Sequence, residues 1–525
     1  MFKPDFPPVV KRLLIVGLDG ATFDVLLPLV ERGRMPRLKG VLDTGASGTL
    51  WSTVPPITPA AWTTFLTGRQ PGAHGIIDFE RYDPSAHRLQ FNSSLSVDHV
   101  PTIWKLLGDR GLRVGSVNVP MTYPARPVNG FVVSGFETPG VDSDFVYPRE
   151  IRDELLGRWS DPTQRKSWRH SFLRPRRTYQ RNIDYISRTF HQGAAMTMWL
   201  GDRFGWDALM VVLKMVDNLQ HKTWRHIDPR WSHRDPWRNE RALAGFEEAD
   251  RALGTLLDYA EEYGATVMIV SDHGHGSLEG KVYPNALLER WGYLKLRSAK
   301  VEGDALRDLP VDFARTRACV MHAGMAGFLY INLQGRQPAG IVTPSDYEAL
   351  RDELRRRFLG DACVVIDPAG QLVSLFKEVH KPEELYGCLR EDHPWMPDLL
   401  LIPRDGLAVV RKLHGRAAVR WLPYRRIEGT HRSNGVFAAV GPGIRHTNSV
   451  DARLLDCAPT ILAMLGLRIP ACMEGRVIDE AFSVTPTVER AADDVFVTRR
   501  ESETVYSEAE LRLVTERLSD LGYLE

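Results

Sequence analysis

"ATVMIVSDHGHG", residues 265–276, begins as an unbroken apolar run and ends in an aspartate, two histidines and two glycines. An apolar run without alternation fits a strand buried on both faces, as in a parallel sheet covered by helices. Three further stretches have the same form: "RLLIVGLDG" (12–20), "DALMVVLKMVD" (207–217) and "GVFAAVGPGI" (435–444). Helical segments separate them. The expected class is therefore α/β, a mainly parallel sheet sandwiched by helices, with smaller inserted segments.

Three of these runs end in an acid: Asp19, Asp217 and Asp272. Open α/β sheets place ligand groups at the carboxyl ends of their strands, although a lone aspartate there more often caps the next helix. Capping explains three less well than one, because two lie close to histidines. In "MVDNLQHKTW" (215–224) Asp217 and His221 are four apart; in "SDHGHG" (271–276) Asp272 adjoins His273, with glycines that let the backbone crowd a ligand. His431, in "EGTHRSNGVFAAVG" (428–441), is expected on a loop that feeds a strand. Aspartate oxygens and neutral imidazole nitrogens are zinc ligands, with manganese as a substitute. Two such groups one helical turn apart, or on a tight loop, can reach one ion.

The stretch "PPITPAAWTTFLTGRQPGAHGI" (55–76) raises a separate question. Thr58 suits a helix N-cap, Pro59 the first helical position and Gly68 the left-handed residue that ends the helix. That reading needs no chemistry. Whether the same hydroxyl also does chemistry, that stretch leaves open.

Composition narrows the partners. Lys plus Arg (67) balance Asp plus Glu (66), for a net charge of +1, so no overall field draws a nucleic acid polymer or an anionic membrane. Five cysteines (Cys319, Cys363, Cys388, Cys457 and Cys472), an odd number without a CxxC pair, do not read as a disulfide framework. The apolar run Leu13–Leu18 is too short for a signal core or a spanning helix. A cytoplasmic protein with no membrane partner is expected. Length alone would suggest three or four domains.

Taken in order, "GLDG", "TP" with "TGRQPGAHGI", "DNLQH", "SDHGHG" and "THRSNG" resemble the alkaline phosphatase superfamily. Within it the chain looks most like the type I phosphodiesterase and nucleotide pyrophosphatase branch, including bacterial members described as phosphohydrolases or phosphomutases. The resemblance covers Asp19 to about Gly475. It implies an alkaline-phosphatase-like fold and two divalent metal ions, zinc or manganese. One ion would be held by Asp19, Asp272 and His273 with Thr58, the other by Asp217, His221 and His431. It also implies that Thr58 is the nucleophile of a two-metal phosphoester hydrolase, a diesterase, which forms a phosphothreonine on a small-molecule phosphate ester. His74 would be structural, and His275 would lie at the surface or behind the ligands. A phosphomutase, or a metal-binding protein without turnover, are the alternatives; a complete ligand set argues against the second.

Ligands from Asp19 to His431 must meet, so one catalytic domain, residues 1–480, replaces the division by length. It would carry a helical insertion at about 150–200 and a small α/β insertion at about 335–395, followed by a linker and amphipathic helix in 481–525. One feature departs from the branch, and another argues against a sulfatase of the superfamily. Nucleotide pyrophosphatases carry an asparagine just after "HGI", a donor to a phosphate oxygen, where this chain has Phe79. The Cys-x-Pro-x-Arg pattern of sulfatases is absent around Thr58. Arg174, Arg176 and Arg177 fall in an Arg- and Trp-rich stretch (150–190) that reads as a solvated helical face rather than an anion site. Near the end, Ser507 and Glu510 form a capping-box pattern that places Leu511, Val514, Leu518 and Leu521 on one face.

Overall fold

The computed structural model describes residues 4–163, 175–297, 310–387, 393–413, 417–491 and 505–521. It divides into two compact units. One comprises the chain through Asp78, Asn92–His275 and the part from His431 onward; the other comprises Phe79–Phe91 and Gly276–Thr430.

The first unit is built on a nine-stranded sheet. Its strands are β1 (Leu13–Gly17), β2 (Ala46–Trp51), β3 (Val114–Val119), β4 (Gly130–Ser134), β5 (Val146–Tyr147), β6 (Ala208–Val212), β7 (Thr266–Val270), β8 (Asn434–Val440) and β9 (Thr447–Arg453). Their order across the sheet is β9-β2-β8-β7-β1-β6-β3-β4-β5. β1 runs parallel to β6 on one side, Ile15 opposite Met210, and to β7 on the other, Ile15 opposite Met268. β3 is parallel to both β6 and β4. Only β8 and the short β5 run against the rest.

The unbroken apolar runs have a direct cause. Leu14 and Val16 of β1, Leu209 and Val211 of β6, and Val267 and Ile269 of β7 face one core. Leu13, Ile15, Met210, Met268 and Val270 face the other. Side chains alternate across a strand, so a strand covered on both faces must be apolar at every position. Truncating one of these to alanine is expected to cost about 2–5 kcal/mol.

Helices close both faces. α1 (Thr58–Thr67) sets Trp62 and Phe65 into the second core. α2 (Arg176–Phe204) and α4 (Pro236–Glu262) cover the first core, α2 through Tyr179, Ile183, Ile186 and Phe190 at helical spacing. Between them α3 (Met215–Ile227) follows β6. Arg176 and Arg177 are exposed on the first turn of α2, where Arg176 lies over the Trp237 ring, whereas Arg174 falls outside the described residues.

The last helix, α5 (Glu508–Leu521), opens with the expected box: the Ser507 hydroxyl accepts from Glu510 N, and the Glu510 carboxylate accepts from Ser507 N at 2.8 Å. Val514 and Leu518 are buried, Leu511 is half-buried, and the side chain of Leu521 is outside the described set. Arg517 donates to the carbonyls of Phe136 and Thr138, which ties the helix to the segment after β4.

The second unit has its own core, around a four-stranded antiparallel sheet of Ala318–Ala323, Gly327–Ile331, Leu399–Pro403 and Phe376–His380. A helix, Pro344–Leu359, lays Leu350, Leu354 and Phe358 into it. The segment 335–395 lies wholly inside this unit, which extends well beyond it on both sides. Four cysteines, Cys319, Cys363, Cys457 and Cys472, are free; Cys388 lies outside the described residues. No helix among the described residues is long and apolar enough to cross a membrane.

Candidate metal centre

Asp19 lies two residues past β1, in a turn that Gly17 and Gly20 make possible. A Cβ on Gly17 would come within 2.7 Å of the Trp62 ring; its absence lets that ring pack over the strand end. Trp62 Nε1 then donates to Asp19 Oδ2 at 3.0 Å, joining α1 to β1. Gly20 has φ +69°, and its N–H donates to Asp272 Oδ1 at 2.9 Å, joining β1 to β7.

Three local expectations need correction. Thr58 is the first residue of α1 rather than its cap; the extended Ile57 (φ −133°, ψ 139°) holds the cap position without a side-chain cap bond. Pro59 is accordingly the second helical residue rather than the first, and the left-handed Gly68 sits as read. Asp217 does not end a strand: β6 stops at Val212 and Asp217 is in the first turn of α3, where the helix dipole favours an anion. His431 is not on a loop but within a short strand, Glu428–Arg432. It reaches the carboxyl ends of β1 and β7 because β8, which follows it, is antiparallel to β7 and so starts where β7 stops.

The structure brings all seven expected residues together, every one buried. Asp217 Oδ1 is 3.1 Å from His221 Nε2 and 3.5 Å from His431 Nε2, and the two imidazole nitrogens are 3.0 Å apart. Two ring nitrogens that close need a shared proton or a shared cation. Asp19, Asp217 and His273 form a second group of donor atoms within 4.8 Å of one another. Asp272 Oδ2 is 3.3 Å from His273 Nε2, and Thr58 Oγ1 is 3.3 Å from the same nitrogen.

His275 was missed in part, since the surface was one of its two expected placements. It is fully buried, with Nε2 3.5 Å from Asp217 Oδ1, and joins Asp217, His221 and His431 as a possible ion-holding group. The signal was its spacing: in extended chain, residues two apart face the same side, so His275 follows His273. Lys214 was also missed. Buried at the start of α3, it donates to Asn218 Oδ1, lies 3.9 Å from Asp217 Oδ2 and sits over the Phe136 ring. His74 is structural as read, with Nδ1 accepting from Ile76 N and Nε2 3.0 Å from Thr64 Oγ1.

Electrostatics favour a cation here. Burial pushes the Asp19 carboxyl well above its usual range, and Asp272 and Asp217 push it further. Burial also raises Asp272, to about 8, against the Gly20 N–H it accepts and with the charge of Asp217 adding. Burial opposes ionisation of Asp217 too, but the charge of His221 and the bonds from His221 and His431 outweigh it and hold its carboxyl well below the usual range. Burial lowers His273, His275 and His431, which keeps the imidazoles in their neutral, ligating form. Asp19 Oδ1, Asp272 Oδ2 and His275 Nε2 are buried without hydrogen-bond partners. Oxygen and nitrogen donors in this state fit a divalent ion.

A buried Asp/His cluster that could hold metal ions thus lies at the carboxyl edge of a mainly parallel sheet, and comparison with known proteins says which class of α/β protein carries it. The profile of the family "Type I phosphodiesterase / nucleotide pyrophosphatase" matches residues 13–434, and the chain belongs to that family of phosphoester hydrolases. Solved structures with a similar fold include phosphonoacetate hydrolase from Sinorhizobium meliloti 1021, in complex with phosphonoformate (TM-score 0.56) and with phosphonoacetate (TM-score 0.55). In both the identity is 18%, and the match covers 87% of this chain and 97% of the other. Human ectonucleotide pyrophosphatase/phosphodiesterase 5 matches at 14% identity and TM-score 0.48, covering 87% of this chain and 95% of that one, too distant to carry weight. At such identities the likeness concerns the fold, that of the alkaline phosphatase superfamily. No curated protein matches the sequence significantly.

Proposed function

We propose that this chain hydrolyses phosphate esters of small molecules, diesters first among them, by attack of Thr58 Oγ1 on phosphorus. The observation that carries this is the position of Thr58: first residue of α1, with Oγ1 3.3 Å from His273 Nε2 and inside the ring of buried acids and histidines. Held by Asp19, Asp272, His273 and Thr58 on one side and by Asp217, His221 and His431 on the other, two divalent ions, zinc by the donor types, would lower the pKa of hydroxyl and water and neutralise phosphoryl charge.

The chain's own groups do the rest. His273 Nδ1 lies 3.1 Å from the Gly274 carbonyl and donates to it, so Nε2 keeps its lone pair toward Thr58. The start of α1 presents the positive end of its dipole to the phosphate. Oγ1 bonds to phosphorus as the ester oxygen leaves, and water then cleaves the phosphothreonine, regenerating the hydroxyl. Phe79, buried and without a polar group, cannot supply the amide that nucleotide pyrophosphatases use, which supports a substrate other than a nucleotide.

Acid-quenched enzyme after reaction with a labelled phosphate ester, tested with Zn²⁺ and with Mn²⁺, should carry the label on Thr58. Phosphonates belong in the same screen, given the shared fold with phosphonoacetate hydrolase. Label on another residue, or none during rapid turnover, would overturn the proposal.

A further inference from the structure

Four donors, not three, surround one point of the cluster. Asp217 Oδ1 lies 3.1, 3.5 and 3.5 Å from Nε2 of His221, His275 and His431, and the nitrogens of His221 and His431 are 3.0 Å apart. Zinc bonds of about 2.0–2.1 Å in a tetrahedron place donors roughly 3.3–3.4 Å from each other. The observed separations bracket that value.

The orientation of His275 makes it a donor rather than a bystander. Its Nδ1 is 3.1 Å from the carbonyl of Gly20, which can only accept, so Nδ1 carries the proton and Nε2 the lone pair. The Gln220 amide, 3.4 Å from Nδ1, already donates to the same carbonyl at 2.6 Å. His275 Nε2 is buried with no hydrogen-bond partner, and 3.5 Å to Asp217 is too long for a good bond. Packing holds the ring in place, edge-on to His221 at 4.5 Å between centroids.

We infer that His275 is a fourth protein ligand of the ion held by Asp217, His221 and His431, giving that shell three imidazoles and one carboxylate. This rests on the two-ion reading above. Closed four-donor shells characterise sites that retain their metal, and open ones those that bind substrate. Four protein donors, three of them imidazoles, therefore make this the site that fills first and retains its ion.

The test loads the metal-free full-length protein with Co²⁺ and with Zn²⁺. Wild type should take up two ions, the first with the strong visible absorption of four-coordinate cobalt. In His275→Ala and His275→Gln the first ion should bind more than 100-fold more weakly, beyond the roughly 10–100-fold typical of a residue behind the ligands. Its absorption should also weaken, as water replaces a ligand. X-ray absorption of wild type with one equivalent of zinc should count three imidazole nitrogens, a readout that needs no variant to fold. Two imidazoles, or an unchanged cobalt spectrum in a folded variant, would overturn the inference. Wild type that binds fewer than two ions would overturn the two-ion reading instead.

Discussion

Gly20 has φ +69°, and a Cβ there would come within 2.9 Å of both Cε1 and Nδ1 of His275 and 3.1 Å of Asp217 Oδ1. Gly20→Ala should therefore add about 1–3 kcal/mol of backbone strain and displace the two side chains proposed to share an ion. The expected outcome is a lower melting temperature together with weaker zinc binding, read by calorimetry. A variant that loses stability but keeps zinc affinity would mean the ring shifts without consequence. Thr58 behaves differently. Since Ile57 holds the cap position, Thr58→Ala should cost less than the roughly 1 kcal/mol of a lost threonine cap. Turnover, in contrast, should fall by about 10³-fold or more, and Thr58→Ser should keep part of it. Steady-state kinetics beside a thermal melt separates the two effects; full activity in Thr58→Ala would leave the hydroxyl without a chemical role.

Among the elements, the segment after β4 carries a second buried acid. The Glu137 carboxylate accepts from the N–H of Thr122 and of Tyr123, and burial pushes its carboxyl up to about 7 despite these bonds. The folded protein thus holds the Glu137 proton more tightly than the unfolded chain does. That contribution is present below the ordinary glutamate range near 4.5 and is lost as pH rises toward 7. Glu137→Gln keeps the acceptor and cannot ionise, so it should gain stability relative to wild type between pH 5 and 8, by on the order of 2–3 kcal/mol. Parallel melting curves across that range check it, and curves that stay a constant distance apart would contradict it. The buried strands could be read from sequence because burial on both faces leaves an unmistakable apolar run. The direction of β8 could not, since direction is set by tertiary pairing and leaves no local pattern. The start of α1 was misplaced by one residue because threonine suits both the cap and the first turn. His275 stayed open between the surface and the interior because its flanking glycines leave no local mark of burial, whereas Gly274–Leu278 is a strand that buries it.

At the scale of the molecule, the proposed ion ligands come from segments spread between Asp19 and His431, and only the folded chain assembles them. Zinc should therefore raise the melting temperature, each site adding about 2.7 kcal/mol when free metal is 100 times its dissociation constant. Chelation should lower it and abolish turnover; an active metal-free protein would contradict the metal reading. The second unit was harder to foresee, because a hairpin of Glu80–Asp83 and Arg88–Phe91 belongs to it from far upstream, and no composition change marks that excursion. The place of β8 has a consequence for biosynthesis. β2 borders only β8 and β9 in its sheet, so a strand made early on the ribosome waits until Asn434–Val440 emerges before it can join β7 and the rest. His431 leaves the ribosome in the same stretch. A nascent chain halted before Asn434 therefore exposes the unpaired edges of β2 and β7, inviting aggregation, and only with β8 in place are all seven residues of the candidate site held together.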